Sequence, residues 1–246
     1  MNNNKKIIGV IPARYNSSRL PGKALRAIAG KPMIHWVYEN ARRSQSLSEL
    51  LVATDSSEIH KSCEGAGIPV MLTGEHPSGG DRLYEVLTRT DADIYVNIQG
   101  DEPTLKPEHI DLLLHPLLNR RDAQVSTLKV RIGADEALEP NAVKVVTDVD
   151  GKALYFSRHP IPYDRDKTGA SHYYKHIGLY AYTRDALIRF HQLPQSSLEL
   201  SEKLEQLRLI ENGIAIYVAE TEFDTVGVDT EADLERVIRM FNASSQ

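Results

Sequence analysis

Short apolar runs alternate with amphipathic stretches through the first half of the chain, a rhythm that belongs to parallel strands covered by helices. KIIGVIPA reads as the first strand and KPMIHWVYENARRS as the helix after it, with Ile34, Val37, Tyr38 and Ala41 on one face. ELLVATD is a second strand ending in Asp55, SSEIHKSCEGAG a helix closed by glycine, and PVMLT a short third strand. DRLYEVLTRT is helical, DADIYVNIQGDEP is a strand whose apolar run stops at Gly100 and Asp101, and EHIDLLLHPLLNRR is another helix. The predicted class is α/β, with a mostly parallel central sheet flanked by helices.

The second half changes character. VSTLKVRI, NAVKVVTD and KALYFSR read as strands with a turn at DVDGK, so extra or antiparallel strands join the sheet there. HIGLYAY and IAIYVAE are further strands, and TRDALIRFHQL, LSEKLEQLRLIENG and TEADLERVIRMF are helices. The stretch from Arg158 to Tyr174, rich in Pro, charge and aromatic residues, is a loop suited to a lid or a dimer contact. No repeat or low-complexity linker interrupts the 246 residues, whose length allows one large domain or two small ones, and a single domain over 1–246 is expected.

A chain of this length with 41% hydrophobic residues can bury a sizeable core. No apolar run approaches the roughly 18 residues of a membrane helix, and MNNNKK leads straight into a strand, so a cytoplasmic location is expected. Cys63 is the single cysteine, which excludes an internal disulfide and a multi-cysteine zinc site; HKSCEGAG makes it a packing residue. Nine histidines show neither HExxH spacing nor a Cys/His cluster, and no GxSxG nucleophile motif is present. The net charge of -5 argues against a nucleic-acid polymer as partner. Yet Met1 to Tyr38 holds no Asp or Glu while containing Lys5, Lys6, Arg14, Arg19, Lys23, Arg26 and Lys31. Such a local positive field suits a small polyanion.

Three of those cations fall in the loop after the first strand, VIPARYNSSRLPGK, which Pro12 and Pro21 stiffen and Gly22 turns. Ligands of open parallel sheets bind beyond the carboxyl ends of strands. A Walker A loop requires glycine at position 17 and Ser or Thr at 24, whereas this chain has Ser17 and Ala24, and the dinucleotide glycine fingerprint is missing too. Phosphate here must be held by side chains, Arg14 and Arg19 through forked hydrogen bonds and Lys23 as a point charge. Asp101 and Asp229 each follow a strand, and two such carboxylates suit Mg²⁺, which keeps its other positions for water and phosphate oxygens. Taken singly, Asp229 is better read as a helix cap or first-turn charge and Asp101 as a turn residue before Pro103, and the basic loop could be an ordinary solvated loop. Together the pair and the loop are better explained by a metal-nucleotide site.

VIPARYNSSRLPGKAL, LLVATDSSEI, SGGDRL, VNIQGDEP, NAVKVV, ALYFSRHPIP, YKHIGLYAY, LEQLRLIENG and GVDTEADLE resemble, in order and spacing, the CMP-Kdo synthetases, or 3-deoxy-manno-octulosonate cytidylyltransferases. The resemblance runs nearly end to end. It implies a Rossmann-like nucleotidyltransferase fold in which residues 141–182 form a sugar-binding and dimerisation subregion. The implied reaction couples the sugar acid Kdo to CTP with Mg²⁺, giving CMP-Kdo and pyrophosphate for lipopolysaccharide or capsule. By the same resemblance Arg14 and Lys23 hold the CTP phosphates with Arg19 assisting, and Ala13, Ser78 and Arg82 surround cytidine. Gln99 lies between nucleotide and sugar, Asp101 and Asp229 hold metal, and Arg158, His176, Tyr180, Glu205 and Gln206 line the Kdo pocket. The implied assembly is a homodimer, with no membrane partner. One position departs from the family pattern: SGT gives way to Ser78, Gly79, Gly80, losing a hydroxyl in what reads as a loop. A cytidylyltransferase for another acidic sugar and a catalytically inactive nucleotide-binding regulator remain open alternatives.

Overall fold

The computed structural model describes residues 5–15, 19–166 and 171–244, so Ser17 and residues 167–170 of the expected lid or dimer loop lie outside it. The chain divides into two compact units, Met1–Asp111 with Thr225–Gln246, and Leu112–Asp224. In chain order the first unit contains β1 (Ile7–Ala13), β2 (Ala27–Ile28), β3 (Lys31–Pro32), α1 (Met33–Ala41), β4 (Glu49–Thr54) and α2 (Ser57–Gly65). It continues with β5 (Val70–Leu72), α3 (Gly79–Arg89), β6 (Ile94–Asn97) and the start of α4 (Pro107–Asn119). The second unit follows with β7 (Val125–Ile132), α5 (Ala134–Ala137), β8 (Lys144–Thr147), β9 (Ala153–Ser157) and β10 (Tyr173–Thr183). Then come α6 (Arg184–Gln192), α7 (Ser197–Glu202), α8 (Leu207–Glu211) and β11 (Ile216–Thr221), before α9 (Glu231–Ser244) returns to the first unit.

In the first unit β6-β1-β4-β5 run side by side, all parallel, while β2 and β3 form a separate antiparallel pair. Ile8, Val10 and Ile11 are fully buried, as a strand covered on both faces requires. The chain moves from β1 to β4 on one side and reaches β6 on the other, so strand order reverses at β1. That reversal opens a crevice at the carboxyl ends of β1 and β6. α9 closes the unit: Val228, Leu234 and Val237 pack with Leu20, Ile28 and Met33, and the Phe241 ring meets Trp36 edge-on at 4.8 Å. Cys63 is buried in α2, and burial pushes its thiol up to about 11, in keeping with a packing role.

In the second unit β7 pairs in parallel with β11 and antiparallel with β10, and the β8–β9 hairpin joins β10 at Lys144 opposite Lys175. A bulge interrupts β10 between Ile177 and Tyr180. The mixed α/β architecture with mostly parallel strands agrees with the alternation read from the sequence.

Two local readings are corrected. LSEKLEQLRLIENG is not one helix: α7 stops at Glu202, Lys203 turns left-handed with φ 55°, and α8 begins at Leu207. The apolar period runs through the break because Leu204 within it and Leu207 at the start of α8 are both buried, so periodicity alone does not reveal it. Glu205 and Gln206 therefore lie in a turn rather than on a continuous helix. The second correction concerns SGGD, where Ser78 is the N-cap of α3 and Gly80 is buried in its first turn. The extra glycine is a helical residue, not a loop residue. Among the described residues no helix is long and apolar enough to cross a membrane.

Candidate active site

Three chain segments meet at the carboxyl edge of the first unit, and backbone contacts bring them there. Gly100 follows β6 so closely against β1 that a Cβ added to it would lie 2.7 Å from the Pro12 carbonyl oxygen. Gly22 adopts φ +64° and donates its N–H to the Tyr15 carbonyl at 3.2 Å, turning the chain so that Lys23 starts a 3₁₀ turn. The Val228 N–H donates to the Asp101 carbonyl at 2.9 Å, and the Val226 N–H to Thr104 Oγ1 at 2.8 Å. Those two bonds bring Asp229 beside Asp101. Capping of α9 falls to Thr230 and Asp233, which exchange bonds at 2.9 and 3.2 Å, so the Asp229 carboxylate is not consumed as a helix cap.

Lys23 Nζ lies 2.6 Å from Asp101 Oδ2 and 3.0 Å from Asp229 Oδ1, and Arg19 Nη2 lies 3.1 Å from Asp229 Oδ2. Burial pulls the Lys23 ammonium down, but the charge and hydrogen bonds of the two aspartates outweigh it, leaving its pKa above the usual lysine value. Ala13, Arg14, Arg19, Lys23, Gln99, Asp101 and Asp229 line one cleft of about 290 Å³, with Gly79 in its wall. The donor set also fits a hard divalent cation. Two carboxylates already converge on one positive charge, the arrangement in which such a cation takes one or two carboxylates and fills its shell with water and phosphate oxygens. Among the described residues no group of three or more His, Cys, Asp or Glu gathers, so such an ion would need ligands beyond those side chains.

Ser78 and Arg82 are placed differently from the other nucleotide candidates. The Ser78 hydroxyl donates to Asp81 Oδ2 at 2.8 Å and accepts from the Asp81 N–H at 3.1 Å, which occupies it as the α3 cap. Arg82 is fully buried, paired with Asp55, hydrogen-bonded to Thr73 and donating to the Gly74 carbonyl at 3.1 Å. Neither side chain lines the cleft, whereas Gly79 between them does. Arg14 reaches back to the same turn, donating to the Pro77 carbonyl at 3.2 Å.

Within the second unit, β10 carries two of the sugar candidates, His176 and Tyr180, with Tyr182 after them. The His176 ring meets Phe156 at 5.0 Å and Tyr180 at 5.3 Å, and Tyr180 stacks on Tyr182 at 5.8 Å. Thr127, which the sequence reading passed over, is the hub of this group. Its hydroxyl donates to the Leu179 carbonyl at 2.7 Å across the β10 bulge, which leaves Oγ1 to accept from His176 Nε2 at 2.9 Å. Burial pushes the His176 pKa down to about 3, so the ring is neutral at pH 7. Burial and the nearby Glu205 charge raise the Tyr180 phenol well above its usual range. Gln206 is buried, and Arg158 anchors to the Glu202 carbonyl through Nε at 2.8 Å and to the Pro140 carbonyl through Nη1 at 3.1 Å. Phe156, within the 141–182 subregion expected to bind sugar and dimerise, is fully buried and belongs to the core.

A crevice at a strand-order reversal, edged by cationic side chains and paired carboxylates, defines an α/β protein with a site suited to a phosphate-bearing ligand together with a divalent cation. The cytidylyltransferase family profile matches residues 8–217. A 3-deoxy-manno-octulosonate cytidylyltransferase of Acidobacterium capsulatum is 56% identical over 232 residues, covering 94% of this chain and 94% of that protein. Its counterpart in Koribacter versatilis is 54% identical over 233 residues, covering 94% of this chain and 88% of that protein. Among solved structures, a CMP:2-keto-3-deoxy-manno-octonic acid synthetase complexed with CTP matches with a TM-score of 0.94 at 46% identity, over 97% of this chain and 99% of that one. The chain belongs to the cytidylyltransferase family, among the 3-deoxy-manno-octulosonate cytidylyltransferases.

Proposed function

We propose that this protein transfers the cytidylyl group of CTP to the sugar acid Kdo, giving CMP-Kdo and pyrophosphate as a precursor for lipopolysaccharide or capsule. The observation that carries the reading is the cluster of Lys23, Arg19, Asp101 and Asp229 at the β1 and β6 strand ends, in a chain about half identical to relatives of that name. In the reaction the anomeric hydroxyl oxygen of Kdo bonds to the α-phosphorus of CTP as the bond to the β-phosphate bridging oxygen breaks. The hydroxyl proton leaves to solvent, and the electron pair leaves with pyrophosphate. Direct displacement of this kind needs no protein nucleophile.

Arg14, Arg19 and Lys23 hold the triphosphate and stabilise charge on the departing pyrophosphate, while Ala13, Gln99 and the turn at Ser78 to Arg82 contact the nucleoside. Because the Ser78 and Arg82 side chains are committed elsewhere, the turn acts here through the backbone of the first turn of α3. Asp101 and Asp229 would hold Mg²⁺, which when bound neutralises phosphate charge and makes the coordinated hydroxyl easier to deprotonate. Arg158 pairs with the Kdo carboxylate, and His176, Tyr180, Glu205 and Gln206 contact the sugar, with Gln99 serving both substrates. A single functional domain, a cytoplasmic location and a homodimer built on residues 141–182 go with this reading. Exposed Val149, Leu154 and Tyr163 support the dimer surface.

Pyrophosphate release with Kdo and each of CTP, UTP, ATP and GTP tests the proposal, with sialic acid and amino-substituted Kdo as competing acceptors. Turnover should be highest with CTP and Kdo. Comparable specificity constants for ATP and CTP would overturn it.

A further inference from the structure

Lys144 is fully buried at the start of β8, and no carboxylate of the described residues lies within ion-pairing distance of it. Its ammonium instead donates to two backbone carbonyls, that of Glu139 at 2.9 Å and that of Arg158 at 2.6 Å. Burial, with the Arg158 charge adding to it, pulls the Lys144 pKa below the usual lysine value. The more distant Glu202 and Glu139 charges oppose that fall without overcoming it, so the ammonium is held out of water with no carboxylate in contact, a desolvation that a methionine filling the same space would not incur. Stability alone therefore does not account for this lysine.

The two carbonyls indicate what it does. One belongs to Arg158 itself. The other belongs to Glu139, next to Pro140, whose carbonyl receives Arg158 Nη1 at 3.1 Å. Lys144 thus fixes both the root of the arginine and the seat of its guanidinium. Glu202 completes the frame, taking the Arg158 N–H at 2.9 Å and the Ser157 hydroxyl at 2.6 Å. The residue just before β8 also ties to β10: the Val143 carbonyl, beside Lys144, accepts the His176 N–H at 2.7 Å. Among the described residues nothing is bonded to Arg158 Nη2, which leaves that edge of the fork for an anion.

We propose that Lys144 is a positioning residue for recognition of the acceptor's carboxylate, setting the Arg158 fork from beneath through the Glu139 and Arg158 carbonyls. This rests on the assignment of Arg158 to the sugar acid. The test is steady-state kinetics of Lys144→Met, Lys144→Gln and Arg158→Gln, with KM for Kdo and for CTP measured separately. A misplacement of about 1 Å in a binding fork is enough to cost one to two orders of magnitude. Lys144→Met should raise KM for Kdo about tenfold or more and leave KM for CTP within about twofold. Lys144→Gln, whose amide still donates to carbonyls, should fall between wild type and Lys144→Met. If Lys144→Met does not fold, the Lys144→Gln variant carries the test, with KM for Kdo expected to rise about threefold and KM for CTP unchanged. Equal changes in both KM values, or none in KM for Kdo, overturn the proposal. An effect of Arg158→Gln on KM for Kdo without one from Lys144 overturns this inference alone; no effect of Arg158→Gln overturns the sugar assignment and this inference with it.

Discussion

Arg82 separates two accounts of the turn after Pro77, one in which its guanidinium touches nucleotide and one in which it holds the scaffold. Its side chain is 1% exposed and pairs with Asp55, which is 19% exposed, while its other bonds go to Thr73 and the Gly74 carbonyl. In the scaffold account, breaking the pair from its two ends has unequal costs. Asp55→Asn leaves a full positive charge in the interior, and breaking a buried pair in this way costs about 3 to 5 kcal/mol. Arg82→Met removes that charge, fills much of the volume with an apolar chain and leaves a carboxylate that water reaches, so about 2 kcal/mol is expected. With a urea m-value of about 3 kcal/mol/M for a chain of this size, the unfolding midpoint should fall by at least about 1 M for Asp55→Asn and by roughly two-thirds of that for Arg82→Met. KM for CTP should change by less than about threefold in Arg82→Met, the loss of an indirect support and not of a charged contact. An Arg82→Met protein of unchanged midpoint whose KM for CTP rises tenfold or more would refute the reasoning and return the guanidinium to the nucleotide.

Other perturbations have equally definite outcomes. Gly100→Ala drives a methyl against the Pro12 backbone, which cannot swing away, and should cost about 1 to 3 kcal/mol and at least tenfold in turnover by displacing Asp101. Gly9→Ala meets side-chain tips of Leu50 and Leu47 at 2.7 and 2.9 Å, which can move, so its urea midpoint should shift less than that of Gly100→Ala. His176, held neutral with a pKa near 3, binds no proton in the folded state as pH falls below 6.5 while the unfolded chain does. Above pH 6.5 it contributes nothing; below, it destabilises by up to about 1.4 kcal/mol per pH unit, so His176→Gln should flatten the decline in stability between pH 6.5 and 4. Asp101→Asn and Asp229→Asn should each lower turnover at least about a hundredfold, with urea midpoints nearly unchanged because the pairs are part-exposed. Normal Mg²⁺-dependent turnover in either would remove them from the site.

The parts legible in the sequence are those fixed by local chemistry. Alternating apolar runs give the parallel strands, and the strand-to-loop transitions at Ala13 and Gly100 place Arg14, Lys23 and Asp101 at one sheet edge. Side-chain commitments are another matter. That the Ser78 hydroxyl caps α3, and that Arg82 turns inward to Asp55, depends on where α3 begins, and SGGD allows either a loop or a first helical turn. Thr127 and Lys144 were missed for a related reason. Strand periodicity assigns a residue to a face, but their partners are carbonyls of Leu179, Glu139 and Arg158, exposed by a bulge and a strand end that leave no apolar signature. The one available signal was a lysine flanked by valines in NAVKVV, a charge set in an apolar strand.

Asp229 shows how a distant residue enters such a site without a motif of its own. It lies 128 positions from Asp101 in sequence, and the stretch TVGVDTEADL would serve any helix start. What distinguishes it is a division of labour among neighbours. Thr230 and Asp233 satisfy the free N–H groups of α9, Val228 pairs its N–H with the Asp101 carbonyl, and the apolar side of α9 packs on Trp36. Each contact removes a competing use for the Asp229 carboxylate or a freedom of its backbone. The carboxylate is then left with Lys23 and Arg19, both supplied by the loop after β1. An ammonium shared between two carboxylates is a compact arrangement in which the charges of all three groups are balanced only in part, two negative against one positive, with Arg19 supplying the second. A triphosphate arriving there brings anionic oxygens that compete for Lys23 and Arg19, and whatever it draws away leaves the aspartates with unmet negative charge. On the proposed function, the same cleft that attracts the polyanion would thereby be driven to take up a cation with it, and that is the electrostatic reason a nucleotide and a divalent metal would suit this site together better than either alone.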